Sequence, residues 1–376
     1  MAQFTGQLRP NEIFAALYNM IISQQVFSDN ISTTQSELVN MSKVDGSLFG
    51  DTKLFYDTDI LGSDEWGNDA EADNLLALHR PAAPDVQEIV IDNFRQISLT
   101  VDDYLSKRAW GDAAAFGQFM SVMQGWIGET KDVYEAKMFN TFVGTNTAEG
   151  VAQNITITLP SDDNAEAENR LQAQTIAREL ADLYVELADA GRDYNDNGNY
   201  KSFSKEDMVV VWNSKYVNKI TKMDVPTVFH KEGLIDGFKY TLPSKYFGTV
   251  KTTGGTIPGS SANTSIRSLV ERDYNTVARS HPDYVKSLHI FPGDLIPAGQ
   301  SYNAYEAYTE NGADGTSEVI FKMYHKNAIP FMSAFEVGTS FFNAKSLTEN
   351  RYLTWGYSTL ESLANYPFIT ATAARA

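Results

Sequence analysis

The stretch from Gly111 to Thr145 constrains the fold of this chain more than any other. Its apolar residues recur every three or four positions, which places them on one stripe of a helix. These residues are Phe116, Phe119, Met120, Met123, Ile127, Val133, Tyr134, Met138 and Phe142. Gly144 suits the left-handed residue that often ends a helix. The spacing predicts a rod of about 50 Å, longer than a compact domain usually needs. Glycines at positions 117, 125 and 128 leave a kink or a shorter helix as alternatives.

Two strand-like segments precede this helix. Lys53–Tyr56 is a short candidate, and Val86–Val101 is a longer one in which apolar and polar residues alternate. Between them, residues 62–73 form an acidic loop. A two-stranded ribbon is only marginally stable on its own. A long hairpin with a solvated tip therefore predicts packing on another chain.

A mixed body follows the helix. Ile155–Leu159 alternates as a strand does, and residues 164–190 carry a second helical stripe. Met208–Trp212 is a short apolar run of the kind found in strands buried on both faces, whereas Ile266–Val277 is a weaker helical candidate. Glu318–Tyr324 alternates again, and the aromatic-rich tail after it predicts further strands that pack on the body.

Composition excludes several functional classes. The 48 acidic and 30 basic residues give a net charge of −18, which disfavours tight binding to nucleic acid. Because the chain has no cysteine, disulfides, thiol catalysis and cysteine-bound zinc are excluded. The N-terminus lacks a signal-peptide pattern, and no apolar run approaches the length of a membrane span. We expect a soluble protein made in a cytoplasm.

Asp193–Gly198 is the most suggestive chemical motif. Its residues match the first half of an EF-hand calcium loop, including the glycine at the sixth position. The twelfth position is Ser204, where the loop needs a glutamate that supplies two oxygens and a charge. The motif therefore favours an ordinary Asn/Gly turn over a calcium site.

The remaining motifs are weaker. Asp57-Thr58-Asp59 matches a sugar-nucleotide metal motif, but so short a match is expected by chance in an acidic chain. No two of the five histidines have a ligand spacing on a helix; they are His79, His230, His281, His289 and His325. Nucleotide-binding, metalloprotease and serine-hydrolase motifs are also missing from the sequence. The sequence predicts no catalytic, cofactor-binding or metal-binding residue and no enzyme activity.

The order of elements resembles the major capsid proteins of tailed bacteriophages with the Hong Kong 97 type of fold, particularly those of small short-tailed phages. The resemblance implies an α+β fold with an N-terminal arm, an extended β-hairpin loop, a long spine helix, a peripheral domain and an axial domain. The corresponding segments are residues 1–45 for the arm, 46–107 for the extended loop, 108–160 for the peripheral domain with its spine helix, 161–315 for the axial domain and 316–376 for a returning peripheral β segment. Lys53 lies in the loop, where some relatives place a self-cross-linking lysine.

The resemblance also implies a function. Such a chain would assemble with itself into hexamers and pentamers of an icosahedral or prolate shell around double-stranded DNA, which it would contact weakly and non-specifically. Because the arm is short, the scaffolding protein would be separate, with a portal protein as a further partner and no membrane. The mature location would be the virion. Alternatives are an encapsulin-like nanocompartment shell, a carboxylate-dependent glycan-acting enzyme and a calcium-binding surface protein.

Overall fold

The computed structural model describes residues 37–45, 52–63, 78, 80–102, 113–221, 240–256, 265–266, 270–271, 289–290, 301–310 and 318–375. Most of the predicted N-terminal arm and most of the acidic loop lie outside these residues. The helices are α1 (Glu37–Ser42), α2 (Ala113–Thr145), α3 (Ala165–Ala188) and α4 (Ser214–Thr221). None of the described helices is both long and apolar enough to cross a membrane.

The strands are β1 (Lys43–Asp45), β2 (Thr52–Asp57), β3 (Asp85–Asp102), β4 (Asn154–Leu159), β5 (Met208–Asn213), β6 (Tyr240–Leu242), β7 (Gly248–Thr256), β8 (Ser265–Ile266), β9 (Val270–Glu271), β10 (His289–Ile290), β11 (Ser301–Glu310), β12 (Glu318–His325), β13 (Phe331–Asn343), β14 (Thr348–Ser358) and β15 (Phe368–Arg375). Most of them belong to two five-stranded sheets. The helical expectation for residues 266–277 is wrong at Val270–Glu271, because these residues pair with β10. Pairing with another strand overrides a weak local pattern.

Helix α2 confirms the predicted rod and runs without interruption through Gly125 and Gly128. Tyr134 and Phe142 of the predicted stripe are buried, but Phe139 and Val143, which lie off that stripe, are buried as well. The second half of α2 is therefore surrounded by protein instead of presenting one apolar face. The side chains of the stripe up to Met123 lie outside the described part of the chain.

Gly144 has a different role from the one predicted. It lies inside the last turn of α2, not beyond its end, and it does not have a positive φ. A Cβ atom at Gly144 would lie 2.1 Å from the carbonyl oxygen of Tyr246. Glycine is needed here because the helix and the chain at Tyr246 approach each other too closely for any side chain.

The first sheet has the strand order β4-β15-β12-β5-β6, and we call it the closed sheet. One face carries Val209 and Val211 into a cluster with Phe142 of α2. The opposite face carries Val210 and Trp212 into a second cluster with α3. Because both faces are covered, the apolar run in β5 is continuous, as the sequence predicted.

Helix α3 provides that second cover. Its predicted stripe is buried except for the half-buried Tyr184, and Asn164 caps its first turn by accepting a hydrogen bond from the Glu166 amide at 3.0 Å. Such a cap satisfies one of the amide groups that every helix start leaves without a partner. The helix ends at Ala188, two residues before the predicted position.

The second sheet has the order β1-β13-β14-β3-β2, and we call it the open sheet. One face packs on α2, where the Tyr134 ring contacts the rings of Trp355 and Tyr357 at centroid distances of 6.3 and 5.8 Å. Strand β3 pairs with β2 through its first third and with β14 through the remainder. The two sheets draw strands from several of the predicted segments, and the five-part division of the chain stays a prediction.

Candidate functional site

The ribbon formed by β2 and the start of β3 has two unlike faces. Residues Lys53, Phe55 and Asp57 lie opposite Ile89, Gln87 and Asp85 in register. Ile89 is buried, and it belongs to a small apolar cluster with Ile91, Met332 and Leu363, against which Phe55 packs. The inner face of the ribbon is therefore covered by its own chain. The predicted packing of the hairpin on another chain stays a prediction.

The other face of the ribbon is apolar and exposed. We call Leu54, Tyr56, Val86 and Val90 the outer patch; their exposed fractions are 49%, 62%, 53% and 39%. Tyr56 and Val86 are direct cross-strand partners, and alternation along each strand brings the other two to the same side. Neighbouring exposed apolar side chains on a sheet are typical of surfaces that bind other proteins.

The end of the ribbon is held by a loop that we call the clamp, residues 192–201. Asp57 ends β2, and its carboxylate accepts hydrogen bonds from Asn199 at 2.8 Å and Asn197 at 3.3 Å. It also forms an ion pair with Lys201. Asn199 donates to Asp85 as well, at 3.0 Å, so one amide group bridges both strands of the ribbon.

Asp59 makes a second attachment just beyond the strand. Its carboxylate pairs with the Arg192 guanidinium at 2.6 Å and accepts a hydrogen bond from the Tyr200 amide at 3.0 Å. Arg192 also donates to the Gly198 carbonyl oxygen at 2.5 Å and lies over the Tyr200 ring, 4.3 Å from its centroid. The two attachments hold the end of β2 and the residues just beyond it to the clamp.

The clamp is built by the residues that resemble a calcium loop. Gly198 adopts a φ of +68°, which glycine accepts without strain. The Asn195 side chain accepts from the Asn199 amide and donates to the Asn199 carbonyl, which closes the turn. Asp196 accepts hydrogen bonds from Gly150 and Gln153 instead of pointing to a shared centre. These side chains are engaged with protein groups, which fits the predicted Asn/Gly turn.

The surroundings of Asp57 and Asp59 favour the charged form of both carboxylates. Burial alone would raise the pKa of Asp57, but hydrogen bonds from Lys201, Asn199 and Asn197 outweigh burial and leave this pKa below its ordinary value. The hydrogen bond from the Tyr200 amide, followed by the one from Arg192, lowers the pKa of Asp59. The clamp is therefore an anion-binding loop in which the anions are the chain's own aspartates.

A second charged network joins α2 to the open sheet. The buried Glu135 lies 3.4 Å from Lys43 of β1 and 3.7 Å from Lys131. Lys131 also pairs with Glu336 of β13. The network holds two strands of the open sheet to the helix, and its one fully buried carboxylate has two cationic partners, as buried charges require.

The structure brings together the two weak motifs of the sequence, since Asp57 and Asp59 bind the loop that contains Asp193–Gly198. Arg192 and Lys201 are the residues that sequence reasoning missed. The available signal was the pair of basic residues that flank an acidic, Asn-rich loop. Among the described residues, no three His, Asp or Glu side chains are arranged to hold a metal ion.

The other residues singled out in the sequence lie elsewhere. Lys53 is on the inner face of β2, opposite Ile89. His325 is a core histidine, stacked on Tyr366 with a centroid distance of 4.4 Å. Its Nδ1 accepts a hydrogen bond from the Asn327 amide at 3.2 Å. The side chains of the remaining histidines lie outside the described part of the chain.

Comparison with known proteins identifies the class of fold. Neither the protein-family models nor the curated proteins contain a match. Among solved structures, the chain is similar to one in the capsid structure of Staphylococcus phage Andhra, with a TM-score of 0.64, 9% identity and coverage of 93% of this chain and 87% of that one. It is also similar to a chain in the structure of the head fiber and inner core protein gp22 of native bacteriophage P68, with a TM-score of 0.58, 10% identity and coverage of 89% and 83%.

These likenesses extend over nearly the whole of each chain at very low identity, so they concern the fold. The chain has the α+β fold of phage capsid structures, and the resemblance predicted from its sequence is confirmed at that level.

Proposed function

We propose that this chain is a major capsid protein, the structural subunit of a tailed-phage head. The observation that carries the proposal is the similarity of fold to a phage capsid structure, which covers 93% of the chain and 87% of the matched chain. A match confined to one common motif would not have this extent. In this role the chain acts by assembling with itself and needs no catalytic residue.

The outer patch is a described surface suited to contact with a neighbouring copy. The patch is apolar, and the clamp holds the end of the ribbon on which it lies. The inner face of the ribbon already packs on the same chain. A rigid ribbon loses little conformational freedom on binding, so more of the buried apolar area contributes to association. We propose that repeated contacts of this kind join subunits into hexamers and pentamers.

The charge of the chain suits a container for DNA. A net charge of −18 gives a subunit that repels duplex DNA and leaves it mobile, so contacts with packaged DNA would be weak and non-specific. Like-charged subunits also repel one another, which fits assembly guided by a separate scaffolding protein and begun at a portal protein. The location that follows is the virion, after synthesis in the bacterial cytoplasm.

The first test is electron microscopy with light scattering on the purified protein, alone and with a co-expressed scaffolding candidate. Shells, tubes or capsomer rings are expected. A protein that remains a monodisperse monomer under all these conditions, crowding agents included, would contradict the proposal.

The contact surface needs a separate test. Leu54→Asp and Tyr56→Asp place a charge on the outer patch, and both should block assembly while the monomer keeps its circular dichroism spectrum. Val185→Asp is the matched control, because Val185 is 71% exposed and belongs to α3 instead of the ribbon. Patch variants that assemble as well as the control would show that subunits meet elsewhere.

A further inference from the structure

Lys322 is a buried lysine at the centre of the closed sheet. It lies in β12, between Val211 of β5 and Thr370 of β15 in register, and it is 1% exposed. Its side chain extends toward the end of α2. Transfer of an ammonium group to such a site is very costly unless a carboxylate compensates for the charge.

The partners of Lys322 suit an amine and not an ammonium ion. The Nζ atom donates to the Asn146 carbonyl at 2.6 Å and to the Thr370 hydroxyl at 2.8 Å. A neutral amine has two N–H groups, which these two acceptors satisfy, whereas an ammonium ion has a third that needs a partner. Within the described residues, no carboxylate lies within ion-pairing distance of Nζ.

The rest of the pocket offers the charge little compensation. The Phe368 ring centroid lies 5.7 Å from Nζ, at the outer limit of a cation–π contact. The ionisable side chain nearest along the strand is Tyr324, a phenol that interacts with Tyr240 of β6. Burial lowers the pKa of Lys322 to about 7, and no charged neighbour contributes to this shift.

We propose that Lys322 is uncharged in the folded chain above neutral pH and acts as a proton-sensitive tie between the end of α2 and the C-terminal strand β15. As an amine it joins the Asn146 carbonyl to the Thr370 hydroxyl. A proton taken up on acidification leaves one buried N–H without an acceptor and weakens this junction. The closed sheet thus contains a built-in sensitivity to pH near neutrality.

The sign of the effect follows from proton linkage. Between about pH 7 and pH 10.5, the unfolded chain holds a proton on Lys322 that the folded chain lacks. Stability therefore rises with pH in this range, and one proton of difference changes the folding equilibrium constant tenfold for each pH unit. Below pH 7, both states carry the proton and the dependence disappears.

The test compares urea unfolding of the wild type and Lys322→Met at pH 7, 8, 9 and 10. Methionine has a similar shape and no charge. The ratio of the folding equilibrium constant of the wild type to that of the variant should increase by up to tenfold per pH unit. Lys345→Met, in the exposed turn between β13 and β14, should keep a constant ratio to the wild type. A constant ratio for Lys322→Met would overturn the proposal.

A direct measurement does not depend on the folding of a variant. In wild-type protein labelled at lysine 13Cε, NMR should reveal one lysine that titrates near pH 7. If every lysine titrates above pH 9, Lys322 is charged in the folded chain and the proposal is wrong. Both measurements use the unassembled subunit, so their outcome is independent of the proposed role in a capsid.

Discussion

The two five-stranded sheets of this chain differ in how far their strands are buried. Strand β5 of the closed sheet is buried along its whole length, whereas β2 of the open sheet alternates between exposed and covered residues until Asp57. Helices α2 and α3 cover the two faces of the closed sheet, and among the described residues α2 packs on one face of the open sheet. In the described part of the chain, both faces of the first sheet are covered, whereas the second sheet has exposed apolar side chains on its ribbon.

This difference decides which interactions hold each region. Packing dominates the closed sheet, in which the buried Lys322 is bound to neutral oxygen atoms. Charged contacts attach the open sheet at two places, at its edge strand β1 through Glu135 of α2 and at the end of its ribbon through the clamp. Tight packing tolerates little change in volume, whereas exposed and half-exposed ion pairs contribute modestly and depend on pH and salt. The predictions below test this contrast, starting with the largest effect.

Gly144→Ala should cause the greatest loss, about 3 kcal/mol of the free energy of unfolding, because an added methyl group must displace the backbone at Tyr246. Urea unfolding measures this loss directly. Gly125→Ala in the same helix is the control, since a Cβ atom there meets nothing within 4 Å. Alanine should stabilise that position by about 1 kcal/mol. Equal effects at the two sites would refute the close approach of α2 to Tyr246.

The next largest effect is expected from truncating a valine, and the loss of stability should differ between the two sheets. Val211 is fully buried in the closed sheet, and Val211→Ala should cost about 2 kcal/mol through lost burial and an unfilled cavity. Val337 in β13 of the open sheet is 45% exposed, and Val337→Ala should change stability by less than about 0.5 kcal/mol. Chemical denaturation of both variants gives the comparison. A similar cost at both positions would mean that the open face is covered in solution.

Sequence reasoning predicted the helices and strands better than the tertiary contacts that surround them. Periodicity located α2, α3 and most strands, because each pattern is local. It misjudged α2 beyond Tyr134, since contacts from distant segments bury Phe139 and Val143 on every side. Gly144 was misread for the same reason: its constraint comes from Tyr246, far along the chain. A local rule for helix ends has no access to such a contact.

The clamp was beyond sequence reasoning for another reason. Asp57 and the Asn195–Asn199 turn each suggest a metal site when considered alone, because carboxylates and amides are common cation ligands. Only the fold reveals that they bind each other, with the positive charges of Arg192 and Lys201 in the place of a metal ion. Acidic motifs in an acidic chain therefore gain meaning from the basic residues that fold against them.

Asp57→Asn tests how strongly charge holds the ribbon. The change removes the ion pair with Lys201 and weakens two hydrogen bonds, at a cost of about 1.5 kcal/mol at pH 7. Because the pKa of Asp57 is lowered by folding, this contribution is complete above the unfolded pKa of about 3.9 and is lost as pH falls through the lower folded value. The free energies of unfolding of the wild type and Asp57→Asn should therefore converge as the pH is lowered from 7 to 2.5.

The control for this experiment is Asp132→Asn, which alters an exposed carboxylate on α2. It should change stability little at any pH. Asp59→Asn should have a smaller effect than Asp57→Asn, since Asp59 is in contact with solvent that screens its pair with Arg192. A larger effect at Asp59 would assign the main attachment to the segment beyond the strand.

The smallest effect on folding is expected at the outer patch. Tyr56→Ser removes a ring that is 62% exposed, so the free energy of unfolding of the monomer should change by less than about 0.5 kcal/mol. Thermal and urea unfolding at low protein concentration provide the measurement. A loss above 2 kcal/mol would mean that a part of the same chain covers the patch. The ribbon would then be a closed element like β5, and the proposed contact between subunits would have to lie on another surface.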